Sequence, residues 1–316
     1  FFNGSFKKIK SFFKEISNDI IKDLKPITSN MEKRGGGITS MKLIDMNKKI
    51  RCYYQIFVKF NTIDSMGANF INSCLEKITE TFKFYVEEKN FLDSVSEKID
   101  FIMSILSNYT PNCVVKAGVN CKVKDLEKNS ELNDSKFVEN FIRAVKISKV
   151  DNFRAVTHNK GIMNGIDSVV IATGNDFRSV EAGIHAYASR NGIYSGLSNA
   201  YIKDDSFYFD LIIPISIGTV GGLTKLHPLV NWAHNLLGNP SATQLMQIIA
   251  ASGLAQNFAA VKSLVTTGIQ KGHMKMHLLN ILNQLGADLI QKNEAIKYFK
   301  TNPVTFVNVR EFLNKK

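Results

Sequence analysis

Proline is scarce, with 6 in 316 residues, and 20 glycines are too few for a collagen-like or low-complexity chain. Cysteine is limited to Cys52, Cys74, Cys113 and Cys121. None forms a CxxC pair and the spacing matches no common zinc module, so free thiols in a reducing cytosol are expected. No unbroken apolar run reaches the ~18 residues a membrane-spanning helix needs. The apolar stretch at Leu211–Ile217 reads as a buried strand, and a soluble protein is expected. The dinucleotide fingerprint GxGxxG is also missing, which argues against a standard Rossmann nucleotide site. His273 and His277 share a helical face as metal ligands do, but no glutamate of an HExxH motif and no recognisable third ligand accompany them. No metal is expected.

What is present is a chain long enough for one large or two ordinary domains, 44% hydrophobic, with a formal charge of +12. The basic residues are scattered: Lys7, Lys8 and Lys10 at one end, Lys315 and Lys316 at the other. Without a clustered basic face and interleaved aromatics, nucleic-acid binding is not expected. A scattered basic surface suits solvation, or a polyphosphate cofactor or coenzyme A.

Along the chain, residues 1–33 read as an amphipathic helix with Phe6, Ile9, Phe12, Phe13 and Ile16 on one side, interrupted at Pro26. Phe1 falls inside this pattern, so the chain is expected to be a piece cut from a longer product. Arg34-Gly-Gly-Gly37 makes a turn. Strands follow at Ile38–Leu43 and within Ile50–Phe60, where Tyr54, Ile56, Val58 and Phe60 alternate. Asp64–Gly67 opens a helix carrying Phe70, Ile71, Cys74, Leu75 and Ile78, and Phe101–Leu106 reads as another strand. Beyond Pro111, strands are expected at Val114–Val123 and Phe207–Ile217, and helices at Lys136–Lys149 and Ser241–Thr267, with Gly268 as a cap. The final residues read as short polar-apolar alternation. The fold class is α+β.

The most unusual stretch is Thr157-His158-Asn159-Lys160-Gly161-Ile162-Met163-Asn164-Gly165, continuing to Gly174-Asn175-Asp176-Phe177-Arg178. A lysine enclosed by small and amide residues is not an ordinary surface lysine. If Asp176 approaches Lys160, the carboxylate favours an ammonium able to stabilise an oxyanion or donate a proton. The alternative is a salt bridge that only fixes the fold. Gly218-Thr219-Val220-Gly221-Gly222 follows a strand as a ligand-approach turn does, although many such turns only reverse the chain. His273 suits a proton donor, while His158, His185, His227 and His234 fit structural hydrogen bonds better.

Taken together, Asp64-Ser-Met-Gly-Ala-Asn69, Ile105–Asn108, Arg154 through Arg178, Gly218–Gly222, Gly253-Leu-Ala-Gln256-Asn257 and Gly268-Ile-Gln-Lys-Gly-His273 resemble class II, bacterial-type HMG-CoA reductases. The resemblance runs from about residue 30 to the C-terminus. It implies reduction of HMG-CoA to mevalonate and free coenzyme A by two hydride transfers from NADPH or NADH. Lys160 then resembles the oxyanion-stabilising lysine, Asp176 the aspartate that sets its proton affinity, and His273 the histidine that protonates the departing thiolate. Arg154 and Gln256 resemble groups contacting the hydroxymethylglutaryl carboxylate, with Asn164 expected close by in the substrate site, and Asp64, Met66, Gly67, Asn69 and Asn108 line the cofactor site.

The same resemblance implies a small ferredoxin-like cofactor domain at residues 1–107, a larger CoA- and substrate-binding domain at 108–267, and a helical C-terminal flap at 268–316. It also implies at least a homodimer, while the thiols point to the cytoplasm and the scattered charge and short apolar runs to no nucleic-acid or membrane partner. One departure stands out. The family's catalytic glutamate sits in a Glu-Pro-Ser-type motif before the cofactor domain, and no Glu-Pro dipeptide occurs here. A fragment lacking that segment is expected, with a non-catalytic CoA- or nucleotide-binding remnant as the alternative.

Overall fold

The computed structural model describes residues 1–128, 136–224, 226–266 and 268–314. The chain is mixed helix and sheet and divides into two compact units that interleave along the sequence. The first comprises Phe1–Val115, Val169–Tyr187 and Pro214–Ile248; the second comprises Lys116–Ser168, Ala188–Ile213 and Ile249–Lys316. This partition differs from the three consecutive segments read from the sequence.

In the first unit, helix α1 (Phe6–Lys33) starts at Ser5, whose hydroxyl accepts the Lys8 N–H at 3.2 Å. Its residues Ile9, Phe12, Phe13, Ile16, Ile20 and Leu24 recur at three and four and bury one face. Pro26 does not break it. The ring is on the exposed side, where water can take the Lys22 carbonyl left without a donor.

Strands β1 (Gly37–Asp45) and β2 (Tyr54–Asn61) form an antiparallel pair with Met41 opposite Val58 and Leu43 opposite Ile56. Helix α2 (Ala68–Glu88) adds Cys74, Ile78 and Phe82 to the same core. At its centre the Phe12 ring stacks 4.2 Å from Phe91 and meets Phe82 edge-on at 5.5 Å. Truncating such a ring to alanine costs roughly 3–5 kcal/mol.

The strand expected at Phe101–Leu106 is absent. Ile102, Met103 and Ile105 are exposed, and the segment is tied by side chains: Asn72 Oδ1 accepts the Leu106 N–H at 2.9 Å. Apolar run length alone cannot supply a pairing partner.

The second unit is built on a three-stranded sheet of β3 (Val114–Lys122), β4 (Ser198–Lys203) and β5 (Ser206–Pro214), in the order β3-β5-β4. β4 and β5 form a two-residue hairpin at Asp204-Asp205, both at positive φ as a type I′ turn requires. Backbone bonds from Ile215 to Cys113 and from Val123 to Asp205 bracket an antiparallel β3–β5 pair. Short helix α3 (Val123–Lys128) and then α4 (Phe137–Val150) follow β3. Phe141 of α4 packs edge-on against Phe207 and Phe209 of β5.

Helices α5 (Asn152–Ala172) and α8 (Ala242–Val265) lie antiparallel at unusually close range. A Cβ at Gly165 would sit 2.5 Å from the Ser252 carbonyl oxygen, and one at Gly253 2.8 Å from Ile166. On average α8 is apolar enough to cross a membrane, with a mean hydropathy of 1.3 over its best 18 residues, although no unbroken apolar run exists. Ser252, Gln256 and Asn257 interrupt it, and a third of that window is buried within the protein.

Gly268, at φ +78°, sends its N–H back to the Ser263 carbonyl and closes α8. Towards the end of the chain, α9 (Ile269–Gln284), α10 (Leu289–Tyr298) and α11 (Phe306–Asn314) enclose a core of Leu278, Ile281, Leu282, Phe299 and Val309. A complete capping box, Asp288 with Gln291, starts α10. The first unit also holds α6 (Phe177–Ala188) and α7 (Pro228–Leu236).

Candidate active site

The first unit contains a cavity of about 650 Å³. Its walls are the last turn of α1 with Asn30 and Arg34, the residues Ser65–Phe70 that lead into α2, the Gly174-Asn175-Asp176 turn, and the loop after β5 from Gly218 to Thr224. The wall at α2 is mostly backbone. Gly67 takes φ +77° at the helix start and no side chain caps the first turn, so the N–H groups there have no capping acceptor.

The loop after β5 is pinned against this helix start. Asn175 Oδ1 accepts the Gly218 N–H at 2.8 Å, and the Asp64 carbonyl accepts Thr219 N–H at 2.8 Å and Val220 N–H at 3.2 Å. A Cβ at Gly218 would meet Met66 N at 2.5 Å, so only glycine permits the approach. An uncapped helix start, a glycine loop and the Arg34 guanidinium together suit an anionic ligand such as a dinucleotide's phosphates.

Asp176 lines the cavity and starts α6. Its Oδ1 accepts from Arg178 N at 3.1 Å, Arg178 Nε at 3.3 Å and Ser179 N at 3.4 Å. Burial alone would raise its pKa, but the Arg178 side chain and these backbone donors outweigh it and hold the carboxyl below its ordinary value.

In the second unit the His-Asn-Lys-Gly motif lies on α5, with His158 and Asn159 buried and Lys160 exposed. His158 Nε2 is 2.7 Å from Ser198 Oγ on β4. Asn159 donates from Nδ2 to the Ser195 carbonyl at 3.0 Å and accepts the Leu197 N–H at 2.9 Å. The two buried residues anchor the helix and so fix the base of the lysine. One turn on, Asn164 is exposed beside Gly165, and Gln256 of α8 is exposed with its Cβ against Gly165. Lys160, Asn164 and Gln256 therefore line one glycine-packed seam. Arg154, two turns before Gly161, is half-buried, and its charge contributes to the depressed pKa of His158.

Of the residues singled out in the sequence, Met66, Gly67, Asn69 and Asp176 share the first unit's cavity, and Lys160, Asn164 and Gln256 share the second unit's seam. Lys160 and Asp176 fall in different units. Asp64 turns its carboxylate to the start of α8, accepting the Ala242 N–H at 2.7 Å. Asn108 accepts from the Ser179 hydroxyl at 3.0 Å, next to the Asp176 turn. His273 lies on α9, with its side chain outside the described residues. His234 is structural, its Nε2 3.1 Å from the Thr173 carbonyl.

Sequence reasoning missed Arg34, Asn175 and Ser198. Asn175 sits inside the Gly-Asn-Asp run and could have been read as a turn amide. Nothing local marks Arg34 or Ser198.

A family model described as hydroxymethylglutaryl-coenzyme A reductase matches residues 1–278. The 3-hydroxy-3-methylglutaryl-coenzyme A reductase of Archaeoglobus fulgidus is 36% identical over 258 residues, 80% of this chain and 54% of that protein. The probable 3-hydroxy-3-methylglutaryl-coenzyme A reductase of Borreliella burgdorferi is 33% identical over 280 residues, 88% of this chain and 62% of that one. The chain thus spans less than two thirds of the length of either curated relative. Among solved structures, the class II reductase of Streptococcus pneumoniae bound to NADPH in open conformations superposes with a TM-score of 0.73 at 32% identity, covering 99% of this chain and 73% of that one.

Proposed function

The chain belongs to the hydroxymethylglutaryl-coenzyme A reductase family, and from that premise we propose that it reduces HMG-CoA to mevalonate and free coenzyme A with NADPH or NADH. The observation that carries this reading is the seam of α5 and α8. It presents an ammonium and two amides on a base fixed by buried hydrogen bonds.

Lys160 stabilises the negative charge that develops on the thioester carbonyl oxygen and gives it a proton, a role that rewards a preorganised donor. Asp176 keeps the part that the motif gives it, favouring the charged lysine. Arg154 forms charge-assisted bonds to the terminal carboxylate of the acyl group, with Asn164 and Gln256 completing its hydrogen bonds. His273 protonates the departing CoA thiolate. A reduced nicotinamide, when bound, would supply one hydride to the thioester, and a second one, after the oxidised cofactor is exchanged, a hydride to the aldehyde that follows. Met66, Gly67 and Asn69 would hold the dinucleotide at the uncapped start of α2, with Asp64 and Asn108 supporting the walls. The glycine-lined cavity and Arg34 fit a dinucleotide without a Rossmann fingerprint.

In the same reading the β1–β2 hairpin with α1 and α2 is part of a ferredoxin-like cofactor domain over residues 1–107, residues 108–267 bind substrate and CoA, and 268–316 form a flap carrying His273. The glycine before α9 and the separate core of α9–α11 support a hinged flap. The protein acts in the cytoplasm as a homodimer or larger homo-oligomer, without nucleic-acid or membrane partners.

The test is absorbance at the reduced-nicotinamide band, using the protein as its gene encodes it, HMG-CoA and each cofactor in turn. Two cofactors oxidised per HMG-CoA are expected, with one cofactor strongly preferred. Lys160→Ala should lower kcat by at least about 100-fold, the effect of losing one oxyanion donor. A folded protein that binds coenzyme A but turns nothing over would instead be a binding remnant.

A further inference from the structure

The buried polar groups of the second unit close into a ring. His158 Nε2 lies 2.7 Å from Ser198 Oγ, Ser198 Oγ lies 2.8 Å from Asn257 Oδ1, and Asn257 Nδ2 returns to the His158 carbonyl at 3.4 Å. The three residues are 3%, 0% and 1% exposed, so water does not share in the ring.

Counting protons fixes its direction. With the Asn257 Nδ2 turned to a carbonyl, its Oδ1 can only accept, and Ser198 must give it the one hydroxyl proton it has. Ser198 then offers His158 lone pairs alone, and the ring must donate from Nε2. The imidazole is therefore the Nε2–H tautomer. Burial, with the positive charges of Arg154 and Lys149, keeps it neutral.

This ring joins three elements, α5, β4 and α8, at one fixed register. Lys160 is two residues beyond His158, and Gln256 immediately precedes Asn257. The glycine contacts at Gly165 and Gly253 set how near the two helices come. Contacts of that kind tolerate sliding along the helix axis, whereas hydrogen bonds at these distances do not.

We propose that Ser198 is a positioning residue: by joining His158 to Asn257 it sets the separation of Lys160 and Gln256 along the seam. This deepens the reductase reading and rests on it for the roles of those two residues.

The experiment uses the protein as its gene encodes it, with Ser198→Ala and, independently, Asn257→Ala, which opens the ring from the α8 side. In the unsubstituted protein, ¹⁵N NMR of the His158 ring should show the neutral Nε2–H tautomer. In either variant the ring should become a mixture of tautomers. Turnover of HMG-CoA should fall about 10- to 100-fold, on the scale of a small misplacement of reacting groups. The KM for HMG-CoA should rise while that for the nicotinamide cofactor stays constant.

A purely space-filling serine would reduce only the folded fraction, leaving both KM values and the tautomer unchanged, and that result overturns the proposal. So does an Nδ1–H tautomer in the unsubstituted protein, which needs no variant to fold. An Nε2–H ring in a protein with no turnover overturns the reductase reading and leaves the ring itself standing.

Discussion

The first unit shapes its cavity largely from backbone, and the second shapes its seam from side chains. Around the cavity, the approach of the loop after β5 to the start of α2 is set by glycine, by main-chain N–H groups, by the Asp64 carbonyl and by the Asn175 amide oxygen. Along the seam, the exposed groups stand on a layer of buried histidine, serine and asparagine. Backbone presents a generic field that suits phosphates of any bearer, whereas a fixed set of side chains can discriminate one acyl group from another. The comparison teaches that the seam should be the more sensitive of the two to small chemical changes.

The largest expected effect tests that sensitivity with acid. The His158 imidazole is held at about 4 instead of 6.5 by burial and then by Arg154 and Lys149. Below pH 6.5 the unfolded chain takes up a proton there, while the folded chain does so only near pH 4. Stability should therefore fall as pH drops through that window, by up to about 3 kcal/mol, and be indifferent to this group above it. Asp176 works in a lower window. Its carboxyl is held below 3.8, so its stabilising contribution is present at neutral pH and lost only as pH falls through the folded value. Urea midpoints measured from pH 7 to pH 3 should show the histidine's loss first. A His158→Gln variant that keeps the same slope between pH 6.5 and 4 would break the comparison.

Next in size is a single methyl group at each place. Gly165→Ala would set a Cβ 2.5 Å from the Ser252 carbonyl oxygen and 2.8 Å from the Gln256 Cβ. With backbone on one side, the helices must separate, at a cost of about 1–3 kcal/mol. Gly221→Ala in the cavity loop meets nothing within 4 Å and bears only the strain of its φ of +84°, about 1 kcal/mol. Denaturation curves of the two variants should differ accordingly, and equal losses would erase the distinction.

The smallest effect concerns a side chain on which the backbone-built unit also depends. The Asp64 carboxylate satisfies an N–H at the start of α8, beside the Ser241–Gln244 pair that bonds reciprocally across the same turn. Asp64→Ala should cost about 1 kcal/mol, the usual scale of a lost cap, and Asp64→Asn, which keeps an acceptor, much less. A loss well above 2 kcal/mol from a melting curve would move this unit towards the side-chain-dependent class.

Much of the fold was legible because periodicity is local. The three- and four-residue spacing of Ile9, Phe12, Phe13 and Ile16 marks α1, and the alternation from Tyr54 to Phe60 marks β2. What failed was nonlocal. Phe101–Leu106 has the composition of a strand but joins no ladder, and β4 is hard to read because Ser198–Lys203 is short and its Asp-Asp turn lacks the usual glycine. α10 and α11 are short, at 10 and 9 residues, so their periodicity was faint. For the candidate site, the motifs named the chemistry-bearing residues. Their division between a cavity and a seam depends on segments far apart in the chain, which no run of neighbours encodes.

The three C-terminal helices around Leu282, Phe299 and Val309 bring one further consequence. They enclose a core of their own, and the glycine that precedes them has a conformation other residues resist. In hydrogen exchange their amides should behave as one cooperative block, exchanging together and ahead of the amides of α5. Limited proteolysis should then release the last helices first and leave the remainder of the chain folded.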